Sequence, residues 1–344
     1  VVGIVAGIGE LLGYSLRSIS GYFSDKTHRY WIFTFLGYVT NTLAVPALAL
    51  AGNWPLAAAL IVAERTGRAI RKPAVDAMIS YAGKSIGRGW VFGLNEALDQ
   101  AGATISPLIV ALVLYFKGGY RTGFAVLVIP ALLCLATLTV ARVWHPHPHE
   151  MEKRPARFLK SNGFPKAFWI YTAGGALIAA GFADFALIAF HFQKVGSISQ
   201  NTIPIFYALA MGTSALTSLL FGRLLDRIGI SIIGIAFFIS AMFAPLVFLG
   251  QFWLALGGMV CWGVGMGAQD SLLKALLADV VSVAKRSTAF GLFDTGYGIA
   301  WFLGSATMGF LYDTSITSLI LLSVVLQLVA LPVFFWGRSA SIAR

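Results

Sequence analysis

Residues 21–26 read Gly-Tyr-Phe-Ser-Asp-Lys, and residues 222–227 read Gly-Arg-Leu-Leu-Asp-Arg, about 200 positions further along the chain. Each of these polar stretches directly follows a long apolar segment. A second pair repeats at nearly the same spacing, because Phe-Gly-Leu occurs at 92–94 and again at 290–292 after a basic turn. Self-similarity at a fixed period indicates repeated structural units. The sequence therefore predicts two related halves, each built from several apolar segments.

The apolar segments are long enough to cross a lipid bilayer. Of the 344 residues, 58% are hydrophobic and only 11% are charged, and the mean hydropathy is +0.80. A helix needs roughly 20 mostly apolar residues to span the hydrocarbon, since each residue rises about 1.5 Å. We predict an all-α membrane protein with eleven visible transmembrane helices. Their approximate limits are 1–22, 30–51, 54–81, 89–116, 122–141, 167–194, 202–222, 230–249, 252–280, 288–312 and 316–336.

Lysine and arginine lie mainly on one side of the predicted membrane. A formal net charge of +11 would suggest nucleic acid as the partner of a soluble protein, but here the basic residues sit at segment ends. The stretches on one face contain sixteen of the 25 Lys and Arg, and the opposite face contains three, Lys117, Arg121 and Lys194. The positive-inside rule makes the first face cytoplasmic. We expect a multi-pass protein of the inner (plasma) membrane with a cytoplasmic C-terminus and no nucleic-acid partner.

The odd number of predicted spans bears on the start of the chain. A cytoplasmic C-terminus after eleven spans would place residue 1, a valine, outside the cell, yet no signal peptide precedes the first span. We therefore expect a further transmembrane helix upstream, which makes the visible spans helices 2–12 of twelve. The upstream reading frame is expected to encode an apolar stretch of roughly 20 residues.

A polar stretch at 143–166 divides the predicted helices into five and six. It contains His145, His147 and His149, which alternate with proline, and then a run of charged residues. Alternating histidines could ligate a metal, but residues two apart do not share a face of a polyproline helix. We predict a solvated cytoplasmic loop without a metal or cofactor. It would join an N-terminal bundle over 1–142 to a C-terminal bundle over 167–344 in a monomer.

Both repeated polar stretches resemble the loop motif of the major facilitator superfamily. The matching residues are Gly21, Asp25, Lys26 and Arg29 in the first copy and Gly222, Asp226, Arg227 and Gly229 in the second. His28 stands where the family usually has glycine. The resemblance extends over all visible spans and implies the family's fold, in which two pseudo-symmetric helical bundles face each other. It also implies a gating role, because the acid near a helix end can pair with basic groups on a neighbouring helix and hold the inward gate shut.

A shorter resemblance lies in the segment 89–116. Residues 102–108 read Gly-Ala-Thr-Ile-Ser-Pro-Leu and are similar to the helix 5 motif of proton-driven exporters, with Ser106 in place of the usual glycine before Pro107. The resemblance implies proton-coupled export of a small solute. A helix kink caused by Pro107 alone is the structural alternative.

Ionisable residues inside the predicted spans are the candidate functional residues, because charged groups in hydrocarbon tend to face a protein interior or a water-filled path. The segment 54–81 is the richest, with Glu64, Arg65, Arg68, Arg71, Lys72 and Asp76 on one helical face. The following segment contributes Glu96 and Asp99. Pairing among Arg71, Lys72, Asp76, Glu96 and Asp99 would fix helix packing or a gate.

Solute binding is predicted for two groups of residues. The guanidinium groups of Arg65 and Arg68 can bind carboxylate or phosphate through a rigid fork, with pairing to Glu64 or Asp99 as the structural alternative. Aromatic residues beside charges would suit an amphipathic solute, although ordinary packing also explains them. These are Glu10 and Tyr14, which share a face with Arg17, and Asp294, Tyr297 and Trp301.

Proton coupling is predicted for Asp184 and Glu64. Asp184 lies alone midway along the segment 167–194, and a desolvated carboxylate binds protons more tightly than an exposed one. A helix contact is the alternative role.

These features together predict a secondary active transporter that moves a small solute and protons by alternating access, with export favoured. The chain shows no zinc-ligand spacing and no nucleophile elbow, so we do not expect an enzyme. The alternatives are an uptake carrier for an anionic metabolite and a receptor that resembles a transporter but moves no solute.

Overall fold

The computed structural model describes residues 2–116, 119–151, 163–196, 198–199 and 202–342, and their side chains except those of 2–12, 107, 111, 151 and 340–342. The side chain of Glu10 and most of the charged run in the predicted loop therefore lie outside the described residues. Within the described ranges the chain is helical and contains no strand.

Fourteen α-helices occur in the described residues. They are α1 (Val2–Thr27), α2 (Tyr30–Ala47), α3 (Trp54–Ile86), α4 (Arg88–Tyr115), α5 (Tyr120–Val126), α6 (Val128–Trp144), α7 (Lys166–Gly181), α8 (Phe185–Val195), α9 (Ile203–Ile228), α10 (Ser231–Ala241), α11 (Phe243–Leu249), α12 (Phe252–Val280), α13 (Arg286–Thr314) and α14 (Ile316–Ile342). Each predicted span corresponds to one of these helices or to two consecutive ones.

Three predicted spans are each divided between two consecutive helices, and in two of them the first helix ends four residues before a proline. Helix α5 ends at Val126, four residues before Pro130, and α10 ends at Ala241, four residues before Pro245. A proline has no N–H for the carbonyl four residues earlier, and its ring clashes with that carbonyl. The proline therefore interrupts the helix at the residue where the break is found. A third break, between α7 and α8, contains no proline.

Seven helical stretches among the described residues are long and apolar enough to cross a membrane. They are Tyr30–Leu50, Arg88–Tyr115, Tyr120–Trp144, Lys166–Val195, Ile203–Ile228, Ser231–Leu249 and Ile316–Ser339. Helices α1, α3, α12 and α13 fall outside this set and carry, in that order, Arg17, the charged face of α3, Asp270 with Lys274, and Asp294, whereas Glu96 and Asp99 lie on α4, inside the set. Polar composition is expected of helices that face other protein groups rather than lipid.

The structure divides into two compact units. The first comprises Val1–Ala82, Gly102–Leu159 and Ser282–Thr295, and the second comprises Gly83–Ala101, Lys160–Val281 and Gly296–Arg344. In the first unit, α2 packs against α1, α5 and α6. In the second, α12 packs against α9, α10 and α11, and α14 packs against α7. The core of the second unit is aromatic, with Phe182, Phe192, Phe206, Phe243 and Trp262 buried.

Candidate functional site

Asp25, near the end of α1, binds the first turn of α13. Its carboxylate accepts hydrogen bonds from the backbone N–H of Ser287 (3.2 Å) and Thr288 (2.6 Å) and from the Thr288 hydroxyl (2.6 Å). The first backbone N–H groups of a helix have no partner within the helix, and they carry its positive dipole end. A buried carboxylate accepts hydrogen bonds from these N–H groups, and its negative charge is stabilised by the positive end of the helix dipole. We call this set the first helix-end contact (Asp25 with Ser287 and Thr288).

Tyrosines surround the carboxylate of this first contact. The Tyr30 hydroxyl donates to Asp25 Oδ1 (3.0 Å), and the Tyr81 hydroxyl donates to the carbonyl of Val283 (3.1 Å) just before α13. Asp25 follows the predicted span 1–22, and burial raises its pKa to about 6, while hydrogen bonds from Thr288, Tyr30 and Ser287 act in the opposite direction. A pKa in this range leaves the carboxylate ionised at neutral pH, which is the form that accepts hydrogen bonds from all four donors.

Two glycines allow α1 and α13 to lie in close contact next to this carboxylate. A Cβ on Gly21 would overlap the carbonyl of Ser287, and a Cβ on Gly291 would overlap the carbonyl of Arg17. Hydroxyls bridge the same helices, because Ser18 donates to the carbonyl of Gly291 at 3.2 Å. The interface therefore depends on small residues and on hydrogen bonds to backbone.

A partly buried ion pair extends this interface. Arg17 Nη1 lies 3.2 Å from Asp294 Oδ2, and the two side chains are 17% and 6% exposed. The Arg17 guanidinium also lies over the ring of Tyr14, 4.5 Å from its centroid. The structure thus brings together Arg17, Tyr14 and Asp294, although the sequence places Asp294 in a different predicted span from the other two.

Asp226, near the end of α9, makes the equivalent contact with α4 in the second unit. Its carboxylate accepts from the backbone N–H of Gly89 (2.9 Å) and Trp90 (2.8 Å), in the first turn of that helix. The Arg223 guanidinium lies over the Trp90 ring, 4.3 Å from its centroid. We call this set the second helix-end contact (Asp226 with Gly89 and Trp90). The resemblance implied basic groups as partners, whereas both carboxylates accept from backbone N–H groups and Asp25 also accepts from the Thr288 hydroxyl, so these partner residues were not predicted.

The second contact also has a glycine interface. A Cβ on Gly222 would overlap the carbonyl of Gly89, a Cβ on Gly93 would overlap that of Ser218, and the Ser218 hydroxyl donates to the carbonyl of Gly93 (3.1 Å). The internal repeat is therefore present in three dimensions as well as in sequence.

The basic face of α3 is partly neutralised within its own unit. Arg68 Nη2 lies 2.6 Å from Glu64 Oε1, and the Asn41 amide of α2 donates to the same oxygen at 2.7 Å. The Arg68 side chain is 55% exposed, and that of Glu64 is 17% exposed. Arg71 lies over the Tyr38 ring, 4.2 Å from its centroid. The structural alternative for Arg68, pairing with Glu64, is present, and its role in solute binding stays a prediction.

The remaining candidates from the sequence lie in ordinary helix positions. Lys72 lies 3.9 Å from Asp76, Glu96 accepts from the Gln100 amide (2.6 Å), and Asp99 is exposed. Tyr297 donates to Gln269, and its ring lies 5.9 Å from that of Trp301.

The other gate candidates are Lys26, whose amine lies over Tyr22, Arg29, which directly precedes α2, and Arg227, in the last turn of α9. Helix α4 runs on through Pro107, so the export motif lies within one helix.

Asp184 lies at the break between α7 and α8 and not inside a continuous helix. It is the N-cap of α8, and its carboxylate accepts from the Ala186 N–H at 3.4 Å. The carbonyls freed by the break are satisfied by side chains: Trp262 donates to Ala183 (2.9 Å), and Ser323 donates to Gly181 (2.6 Å). A glycine at a helix end followed by Asp three residues later is the sequence signal that would have indicated this break.

The Trp262 hydrogen bond is expected to stabilise the break. Trp262→Phe keeps an aromatic ring but leaves the Ala183 carbonyl without its donor in an apolar core, which costs about 1–3 kcal/mol. We expect a lower midpoint of thermal unfolding in detergent. Trp253→Phe is the matched control, because Trp253 is 78% exposed. Equal midpoints for the two variants would show that the hydrogen bond contributes nothing.

The helices, the internal repeat and the paired helix-end contacts define a multi-pass membrane protein built from related halves. The chain matches the Major Facilitator Superfamily over residues 1–305 and again over 185–343, and it belongs to that family. The predicted family and the all-α membrane fold are confirmed, and the count of eleven visible spans stays a prediction.

Relatives and a solved structure agree with this assignment. An uncharacterized protein of Mycobacterium tuberculosis is 36% identical over 349 residues, which cover 100% of this chain and 85% of that protein. An uncharacterized MFS-type transporter of Methanocaldococcus jannaschii is 28% identical over 334 residues, with 91% and 80% covered. The crystal structure of the fucose:proton symporter of E. coli has a TM-score of 0.71 at 15% identity, and the match covers 98% of this chain and 91% of that one. Family and fold are those of secondary transporters rather than enzymes.

Proposed function

We propose that this protein is a secondary active transporter that carries a small solute across the plasma membrane by alternating access, with protons as the coupling ion. The observation that carries the proposal is the pair of helix-end contacts. Each contact joins helices that the sequence assigns to different bundles, α1 with α13 and α9 with α4. A rocking motion of two bundles exposes a site alternately to the two sides of a membrane.

The chemistry of the contacts suits a gate. In both of them, an aspartate accepts hydrogen bonds from backbone N–H groups at a helix end. Water can replace such bonds on both partners when the helices separate, whereas separation of an interdigitated apolar interface would expose hydrocarbon to water. The positive-inside pattern predicts that Asp25 and Asp226 lie on the cytoplasmic side. Opening of the two helix-end contacts would therefore admit the solute from the cytoplasm.

Two carboxylates within the predicted spans support proton coupling. Asp184 caps α8 at a helix break, and Glu64 shares one oxygen between Asn41 and Arg68. Broken helices in transporters commonly surround ion sites. The fucose:proton symporter, whose fold this chain shares, is named as a proton-coupled carrier.

Two directions of transport have separate support. Export is supported by the motif at 102–108 on α4. Uptake of an anionic solute, the second candidate, is supported by the exposed Arg68 side chain and by the partly buried Arg17. A receptor that moves no solute is the remaining alternative.

Proton flux in liposomes tests the proposed function. The purified full chain would be reconstituted with an internal pH dye and challenged with organic anions and cationic drugs. We expect solute-dependent proton movement that decreases at least about tenfold in Asp184→Asn or Glu64→Gln, since an amide cannot carry the proton. Proton movement that survives both substitutions would remove these residues from the coupling role. Absence of movement with every solute would favour the receptor.

A further inference from the structure

The Arg17–Asp294 ion pair occurs in only one copy of the internal repeat. Gly291 contacts the carbonyl of Arg17, and Gly93 contacts the carbonyl of Ser218, so Arg17 and Ser218 occupy equivalent positions. Asp294 follows Gly291 by three residues, as Glu96 follows Gly93. The second copy thus has an acid at the equivalent position, but serine where the first copy has arginine. Since the second interface packs without this arginine, helix packing alone does not explain Arg17.

Arg17 is incompletely satisfied by the described residues. A guanidinium group has five N–H donors. One of them reaches Asp294, and Nε is buried and donates to no described group. The other close neighbour is the face of Tyr14. A partly buried cation with an unpartnered Nε–H and a single displaceable carboxylate is suited to bind an anion through a fork of two hydrogen bonds.

We propose that Arg17 binds the anionic group of the transported solute, and that Asp294, displaced from Arg17, takes up a proton. The inference rests on the proposed carrier function, names its solute class, a carboxylate or phosphate anion, and adds Asp294 to Asp184 and Glu64 as a third proton-binding acid. The proton comes from a hydronium ion of the bulk solvent: one O–H bond of that ion breaks, leaving water, as the O–H bond on the Asp294 carboxylate forms. Anion and proton are then bound together and cross in the same direction, so an inward proton gradient would drive uptake.

The surroundings of Asp294 fit this exchange. On α1 it faces the cation of Arg17, with Tyr14 beyond. On its own helix the neighbouring Thr295 hydroxyl is already engaged, since its one proton can be donated to the carbonyl of Tyr14 (2.6 Å) or to that of Gly291 (2.9 Å). Arg17 is thus the one cation in described contact with this acid. Transfer of Arg17 to a solute anion would leave the Asp294 carboxylate without this ion-pair partner, and an unpaired charge at a buried position is costly.

Proton uptake by the detergent-purified full chain tests the exchange without transport. Gluconate, succinate and inorganic phosphate would be added separately to protein in weakly buffered dye solution, with glucose as the neutral probe. We expect about one proton taken up per protein with at least one anion and none with glucose. Anion binding without proton uptake would overturn the inference.

Two substitutions separate this role from a structural one. Asp294→Asn removes the competing carboxylate, so the anion should bind about tenfold tighter while proton uptake is lost. Asp294→Glu should keep the uptake, and Arg17→Gln should abolish anion binding. Asp313→Asn, on the same helix with a 75% exposed side chain, is the control and should match wild type. Weaker anion binding in Asp294→Asn, or proton uptake that persists in it, would overturn the inference.

Solute exchange separates a failure of the proposed carrier function from a failure of the proposed role of Arg17 and Asp294. Exchange of a neutral or cationic solute, without binding of any of the three anions, would support the carrier and overturn the role of Arg17. Exchange of an anion without any change in the number of bound protons would likewise support the carrier and overturn the Arg17–Asp294 exchange. If no solute exchanges at all, the proposed carrier function fails, and proton uptake on anion binding remains the separate measure of the Arg17–Asp294 exchange.

Discussion

Asp25→Asn is expected to open the first helix-end contact. Asparagine offers one acceptor oxygen and turns its NH₂ group toward the N–H donors that Asp25 now satisfies. A hydrogen bond to a charged group contributes about 1.5–3 kcal/mol, and each 1.4 kcal/mol changes a population about tenfold. We therefore expect the contact to be open at least about tenfold more often.

Labelling at Ser287 measures this opening. The Ser287 side chain is fully buried, so Ser287→Cys, in a chain with Cys134→Ser and Cys261→Ser, reports access to the first turn of α13. A membrane-impermeant maleimide should label it at least about tenfold faster in Asp25→Asn. Asp313→Asn is the control for loss of an acid from the same helix as the probe. Equal labelling rates with and without Asp25 would show that the carboxylate does not hold the contact closed.

Gly222→Ala is expected to disrupt the second helix-end contact. The added methyl group would overlap the carbonyl of Gly89, and backbone cannot yield as a flexible side chain can. Overpacking of this kind costs about 1–3 kcal/mol. We expect a lower thermal stability and at least about a tenfold loss of transport, since α9 and α4 can no longer approach.

A second glycine on the same helix provides the matched control. A Cβ on Gly212 would meet nothing within 4 Å, so Gly212→Ala tests the helix propensity change without the clash. Alanine is the better helix former by about 1 kcal/mol, and this variant should be as stable as wild type or more so. Loss of transport in both variants to the same extent would argue against a special role for Gly222.

Much of the fold could be predicted from the sequence, because bilayer thickness fixes the length of each apolar segment. Every predicted span corresponds to helical structure, and the repeated Gly and Asp positions predicted equivalent contacts in the two halves. The breaks at Pro130 and Pro245 follow from the chemistry of proline. The break at Asp184 was missed, because hydropathy is insensitive to a helix interruption whose carbonyls are satisfied by distant side chains, such as Trp262.

The candidate site was predictable only in part. Glu64 and Arg68 are one helical turn apart, so their pairing follows from local spacing. Arg17 and Asp294 are 277 positions apart, and no local rule could join them. The N–H donors of Ser287, Thr288, Gly89 and Trp90 were invisible for a different reason. Backbone groups are common to all residues, so a helix end becomes a binding partner only through its position in the fold.

Solute counterflow tests the claim of alternating access most directly. Liposomes containing the full chain would be loaded with an unlabelled solute that causes proton movement and diluted into a trace of the same solute with a radioactive label. A carrier that exposes its site alternately should accumulate the label transiently above its external concentration, with no proton gradient applied. Simple equilibration of the label, or no entry, would contradict the account.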